Sequence, residues 1–190
     1  MTGLVGELNV VRLLLDGSAG LVIAGLHGFF LALAARILGD PGPEYDGRLT
    51  VSPLVHVDIF ALLGFVFAQL GWIRPMDIRT RDLRGGIFGG VAVVLIALAG
   101  TWIVGRGVMA ARGMLVAVTP PDFLQTMNSW TYTFGRLSDR FALFNLLPVL
   151  SLTAAHVVRE RLPAGLWGTG ALLSAVTLLF ALGLKIWVWR

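Results

Sequence analysis

The sequence predicts an all-α protein, a polytopic transmembrane helix bundle of about five spans forming one integral membrane domain. Three observations carry this. Hydrophobic residues make up 56% of the chain and the mean hydropathy is +0.81. Charged residues are only 14%, too few to coat a soluble domain of 190 residues. The apolar runs approach the ~20 residues that cross a bilayer core, and short arginine-bearing gaps separate them.

The elements follow in order along 1–190. Residues 1–16 carry Leu4, Leu8, Val11 and Leu15 at helical spacing, broken by Glu7, Arg12 and Asp16, which reads as an amphipathic helix at the interface. No signal-peptide pattern is visible there, because those charges interrupt the apolar stretch. Spans are expected at 19–38, 54–73, 87–110, 141–158 and 166–189, the fourth containing Asn145 and Pro148. The segment 39–53, rich in Gly, Pro, Asp and Glu, reads as an irregular turn. The segment 113–140 reads as a long loop: Pro120 and Pro121 break any helix, and Phe123, Trp130, Tyr132 and Phe134 suit an interface or a partner surface. At the C-terminus, "KIWVWR" sets Trp187 and Trp189 beside Lys185 and Arg190 as a belt anchor.

The basic excess of +4 comes from fourteen arginines and one lysine. They sit between apolar runs, where they anchor helix ends at headgroups, so the charge is a membrane signature and points away from nucleic acid. Alternating spans put the densest short loop, "RPMDIRTRDLR", on the N-terminal side and make that side cytoplasmic. The chain has no cysteine, which excludes disulfides, thiolate metal sites and cysteine nucleophiles. Its 24 glycines allow close helix approach, within the chain or against other subunits.

Five polar groups fall within or at the edge of spans: His27, His56, Asp58, Asn145 and His156. Ionisable groups there are costly and need partners or a function. His27 reads first as a neutral imidazole bonded to a neighbouring helix. The small Ala24, Gly25 and Gly28 beside it leave room for a haem or chlorophyll-type macrocycle, with His27 as axial ligand. His56 and Asp58 follow Pro53 at a helix start, where capping and a proton-handling pair are both open. His27, His56 and His156 together would make a tri-histidine zinc site.

The stretch "HGFFLALAARILGD", 27–40, resembles the first transmembrane helix of the site-2 protease family of intramembrane zinc metalloproteases, which runs close to H-E-F-A-H-A-W-A-A-Y-R-L-G-D. "GRLTVSPLVHVD" (47–58), "LGWIRPMDI" (70–78), "LAGTW" (98–102) and "FNLLPVLSLTAAH" (144–156) resemble further family landmarks in the family's order. The resemblance implies a site-2-protease-like core over roughly 24–158. In that family two histidines and an aspartate bind zinc, and a glutamate activates the water. By that correspondence the first histidine is His27, the glutamate position holds Gly28, the second histidine position Leu31 and the aspartate position Thr153. The proline and asparagine of the A-G-P-x-x-N landmark fall on Thr101 and Val104.

The expectation is therefore a pseudoprotease in the bacterial inner membrane, with no enzymatic activity and no cofactor, His27 being a relic ligand. Its expected role is an accessory or scaffolding subunit of a larger respiratory or photosynthetic-type complex, with other integral membrane subunits and lipids as partners. Pro120, Pro121, Phe123, Trp130 and Tyr132 are the candidate partner-binding residues. Two alternatives stand beside it. One is a pseudoprotease that binds transmembrane helices or lipids without cleaving them. The other is a metalloenzyme with rearranged ligands.

Overall fold

The computed structural model of the protein describes residues 9–149, 151–157 and 170–188. It is an all-helical membrane bundle, with no strand among the described residues. Three of its helices are long and apolar enough to cross a membrane: α1 (Val10–Leu38), α5 (Ile87–Ala110) and α8 (Gly170–Val188). At 29 residues, α1 measures about 43 Å and forms the central post. Asn9 caps its start through a side-chain bond to the Val11 amide, and Gly39 ends it at φ 117°, where only glycine is unstrained. The helix runs unbroken through 10–16, so the described part of the expected interfacial segment is its first turns. Glu7 and the rest of 1–8 lie outside the described residues, as do Trp189 and Arg190 of the expected belt anchor.

Cross-contacts set the directions. Helix α5 runs antiparallel to α1, with Thr101 against His27 and Arg84, just ahead of α5, bonded through its amide to the Leu38 carbonyl. Helix α7 (Leu124–Phe144) runs parallel to α1, since Trp130 bonds Ser18 while Phe141 meets the ring of His27. Helix α8 descends beside 58–67, with Ser174 on Asp58 and Lys185 on the Phe67 carbonyl.

Two stretches differ from the sequence expectation. In place of one span over 54–73 there are α3 (Pro53–His56), α4 (Ile59–Leu63), a π-helical turn (Gly64–Ala68) and then extended chain. The reversal falls on Gln69, left-handed at φ 55°. Its side chain reaches Asp16 Oδ2 from Nε2 at 3.1 Å and accepts from Arg140 at Oε1. From there Leu70, Gly71, Trp72 and Ile73 pass buried back toward the C-terminal end of α1, and Arg79 donates its amide to Asp40 Oδ2 at 2.8 Å. Irregular backbone at bilayer depth is tolerated when protein encloses it, as it does here.

The second difference is 113–140, expected as a loop. It holds α6 (Arg112–Ala117), a 3-10 turn (Pro121–Phe123) and most of α7. Helix α7 is amphipathic, with Thr131, Phe134, Leu137, Ser138, Phe141 and Phe144 on its buried side, and its polar outer residues mask that stripe in a plain hydropathy reading. The fourth expected span, 141–158, accordingly divides between the end of α7 and a 3-10 turn over Thr153–Val157.

The return of the chain at Gln69 changes which arginines share a side. Arg74, Arg79, Arg81 and Arg84 come to the end of α1 that carries Arg36 and Arg48, the end opposite Arg12. The absence of cysteine makes the test direct. Single cysteines at Tyr45 and Arg81 should react with an impermeant maleimide from the same face of the membrane. A cysteine at Met114 should react from the other face. Labelling of Tyr45→Cys and Arg81→Cys from opposite faces would restore an ordinary crossing over 54–73.

Candidate functional site

Three elements converge on His27, which is fully buried in the middle of α1. Its Nδ1 lies 3.0 Å from Thr101 Oγ1 on α5 and its Nε2 lies 2.9 Å from Thr153 Oγ1 in the 3-10 turn. The ring stands edge-on to Phe141 at 4.8 Å between centroids, and Phe141 in turn stacks on Phe65 at 5.9 Å. Threonine suits both flanks because a hydroxyl can donate or accept. Thr101 also sits 2.8 Å from the Ala97 carbonyl and Thr153 sits 3.1 Å from Asn145 Oδ1, so each hydroxyl has somewhere else to send its proton. The imidazole is satisfied whichever nitrogen carries the hydrogen.

Asn145, at the C-terminal end of α7, anchors the other side of this network. Its Nδ2 donates to the Gly71 carbonyl at 2.9 Å and to the Phe141 carbonyl at 3.0 Å, while Oδ1 accepts from the Thr153 amide at 3.2 Å. One buried amide thus ties the extended return segment to the turn that carries Thr153.

His56 completes the surroundings from the far side of α1. Its Nε2 lies 2.8 Å from the Thr50 carbonyl, which can only accept, so Nε2 carries the hydrogen. Nδ1 is then the bare nitrogen, and it is buried without a hydrogen-bond partner. A side chain at residue 28 would begin inside this ring: a Cβ there would collide with His56 Nδ1, Cγ and Cε1. A Cβ at Gly25 would likewise meet the Val51 carbonyl. The room for a macrocycle expected beside Gly25 and Gly28 is therefore filled by residues 51–56, and both nitrogens of His27 are engaged.

Asp58 caps α4, accepting from the Ala61 amide at 2.8 Å, and receives the Ser174 hydroxyl at 3.2 Å, which fastens α8 to the bundle. His156 has its backbone in the Thr153–Val157 turn, and its side chain lies outside the described residues. Leu31 is buried in the apolar core. Among the described residues no group of three or more His, Cys, Asp or Glu could hold a metal ion.

Of the candidate partner-binding residues, Pro120, Phe123 and Trp130 line one apolar groove of about 670 Å³ with Leu115, Val118 and Met127. Pro121 opens the short 3-10 turn. Tyr132 lies apart from them, with the Arg112 and Arg136 guanidiniums 5.9 and 5.7 Å from its ring centroid. The sequence reading took Thr101 only as a landmark position and passed over its role beside His27. Its signal is a lone hydroxyl in the apolar core of α5.

The comparisons bear on this geometry. Over 149 residues, 74% of this chain, the protein is 28% identical to the Bacillus subtilis (strain 168) protein named "Putative zinc metalloprotease YwhC". The similarity supports a site-2-protease-like relationship. The matched stretch covers 65% of that relative's length. No family model matches the chain, and no solved structure matches it. The expectation of a non-enzyme is corrected by the relative, whose name points to a protease. The comparison gives no support to an accessory subunit of a larger complex.

Zinc enters as a possibility through that relative, and the residues around His27 do not fit it. Zinc takes thiolate, imidazole or carboxylate ligands. Among the described residues the ring nitrogens of His27 face two neutral threonine hydroxyls, and the next position along α1, where the resemblance places a glutamate, is closed by His56.

Removing Asn145 should cost more than removing either threonine hydroxyl. Asn145→Leu strands the Gly71 carbonyl and the Thr153 amide, at about 1–3 kcal/mol for each buried unpaired group. Thr101→Val leaves one imidazole nitrogen short and falls in the lower part of that range. Denaturant titration of the purified variants in one detergent should rank them in that order.

Proposed function

We propose that the protein acts on transmembrane segments of other membrane proteins. The observation that carries this reading is the similarity to a zinc metalloprotease, joined to an all-helical bundle with a buried polar centre. Peptide-bond hydrolysis is the chemistry that the relative's name attaches to such a chain, and the proposal extends to the class of substrate.

The outer side of the α5–α7 pair supports the same reading. A groove of about 410 Å³ there is walled by Leu95, Leu98, Trp102, Ala142, Leu143 and Leu146. Its polar groups answer one another: Arg106 Nη2 and Trp102 Nε1 donate to Asp139 at 2.6 and 3.0 Å. An apolar helix, whose own backbone bonds are internal, can lie along this lining without stranding a polar group. Leu98 and Thr101 share one helix, so an occupant of the groove would lie one helical turn from the His27 centre.

A photo-crosslinking residue at Leu143, with the protein reconstituted in bilayers beside labelled single-span polypeptides, tests this. Adducts should form several-fold more often at Leu143 than at Phe88, which is outward-facing and away from the groove. The same gel reports fragments, and hydrolysis would show there. Finding neither adducts above the Phe88 control nor fragments would overturn the proposal.

A further inference from the structure

We propose that the His27 network is a metal-free cross-link, in which hydrogen bonds join α1, α5 and the Thr153–Val157 turn at the place where the site-2-protease resemblance implies zinc. The proposal concerns the chain's own architecture and stands independently of what the protein acts on.

A structural metal draws together elements distant in sequence by gathering their side chains. Here the same convergence is already complete. His27 bonds a residue 74 positions away in α5 and another 126 positions away in the turn. Asn145 adds the return segment through the Gly71 carbonyl.

A neutral hydroxyl is a poor zinc ligand, and a single imidazole leaves three of four tetrahedral positions to water. The site is shielded from bulk solvent: His27, Thr101, Thr153 and Asn145 are at most 1% exposed. Zinc held there by one histidine, with no anionic ligand among the described residues, would be a divalent charge in a low-dielectric interior, which is strongly unfavourable. Hydroxyl-to-imidazole bonds leave no net charge to solvate.

The ring of His56 stands where a side chain at residue 28 would start, and its bare Nδ1 is turned against the α1 backbone. The wall of the site on that side is an imidazole packed on glycine. Any water-activating group carried at residue 28, where the resemblance places a glutamate, would first have to displace His56.

The experiment uses the full chain purified from membranes in mild detergent. Metal content is read by plasma mass spectrometry before and after incubation with zinc chloride and desalting, and thermal unfolding is read with and without a chelator. The expected result is zinc far below one per chain in both samples and a midpoint that the chelator leaves unmoved. Thr153→Ser, which keeps the hydroxyl, should retain the midpoint, and Thr153→Val should lower it by several degrees with or without chelator. Zinc near one per chain that is lost in His27→Ala would overturn the proposal. So would a midpoint that falls when the chelator is added, a reading that holds even if His27→Ala does not fold.

Discussion

The junction of α1, α5 and the Thr153–Val157 turn is built around one buried imidazole, His27, that must be satisfied away from solvent. A histidine at the middle of a long apolar helix has to find partners, since a buried polar group left unpaired costs about 1–3 kcal/mol. His27 finds them on two other elements, Thr101 on α5 and Thr153 in the 3-10 turn. That requirement fixes the height of α5 along α1 and holds a turn against the bundle's centre. Phe141, edge-on to the same ring, sets α7 beside it.

Glycine makes the second half of the arrangement possible. Gly25 and Gly28 present a bare strip of α1 on which residues 51–56 lie directly, the Val51 carbonyl over one and the His56 ring over the other. A membrane helix gains little from apolar contact that lipid could equally supply, so close backbone approach and satisfied polar groups do most of the holding. Both appear on the same few turns of α1. The extended return at 70–79 depends on the same logic: Asn145 accepts the task of bonding a peptide that no helix or strand would satisfy, and the Arg74 amide donates to the His56 carbonyl at 2.6 Å.

The sequence made some of this legible and hid the rest for physical reasons. Helices α1 and α5 stand out because each is a long apolar run, and α8 shows likewise over its described length. The buried polar residues His27, His56 and Asn145 and the half-buried Asp58 are conspicuous for the opposite reason, as polar letters in apolar text. Helix α7 is hard to read, because a helix with a polar outer face has ordinary mean hydropathy and betrays itself only through the spacing of Phe134, Leu137, Phe141 and Phe144. The reversal at Gln69 is harder still. A non-glycine residue in the left-handed region is held there by long-range bonds to Asp16 and Arg140, which no local pattern announces. The resemblance placed Gly28 and Thr153 in positions of interest, and the structure supplies what a string of letters lacks: Thr153 bonds His27, and Gly28 lies under His56.

The most direct measurement is a double-mutant cycle between His27 and Thr153, read as unfolding free energy in one detergent with His27→Ala, Thr153→Val and the pair. If the hydrogen-bonded clasp organises the bundle, the two sites couple by roughly 0.5–3 kcal/mol, and the double variant loses less than the sum of the singles. Effects that add within about 0.3–0.5 kcal/mol would contradict it, leaving His27 as a passenger in a core held by other contacts.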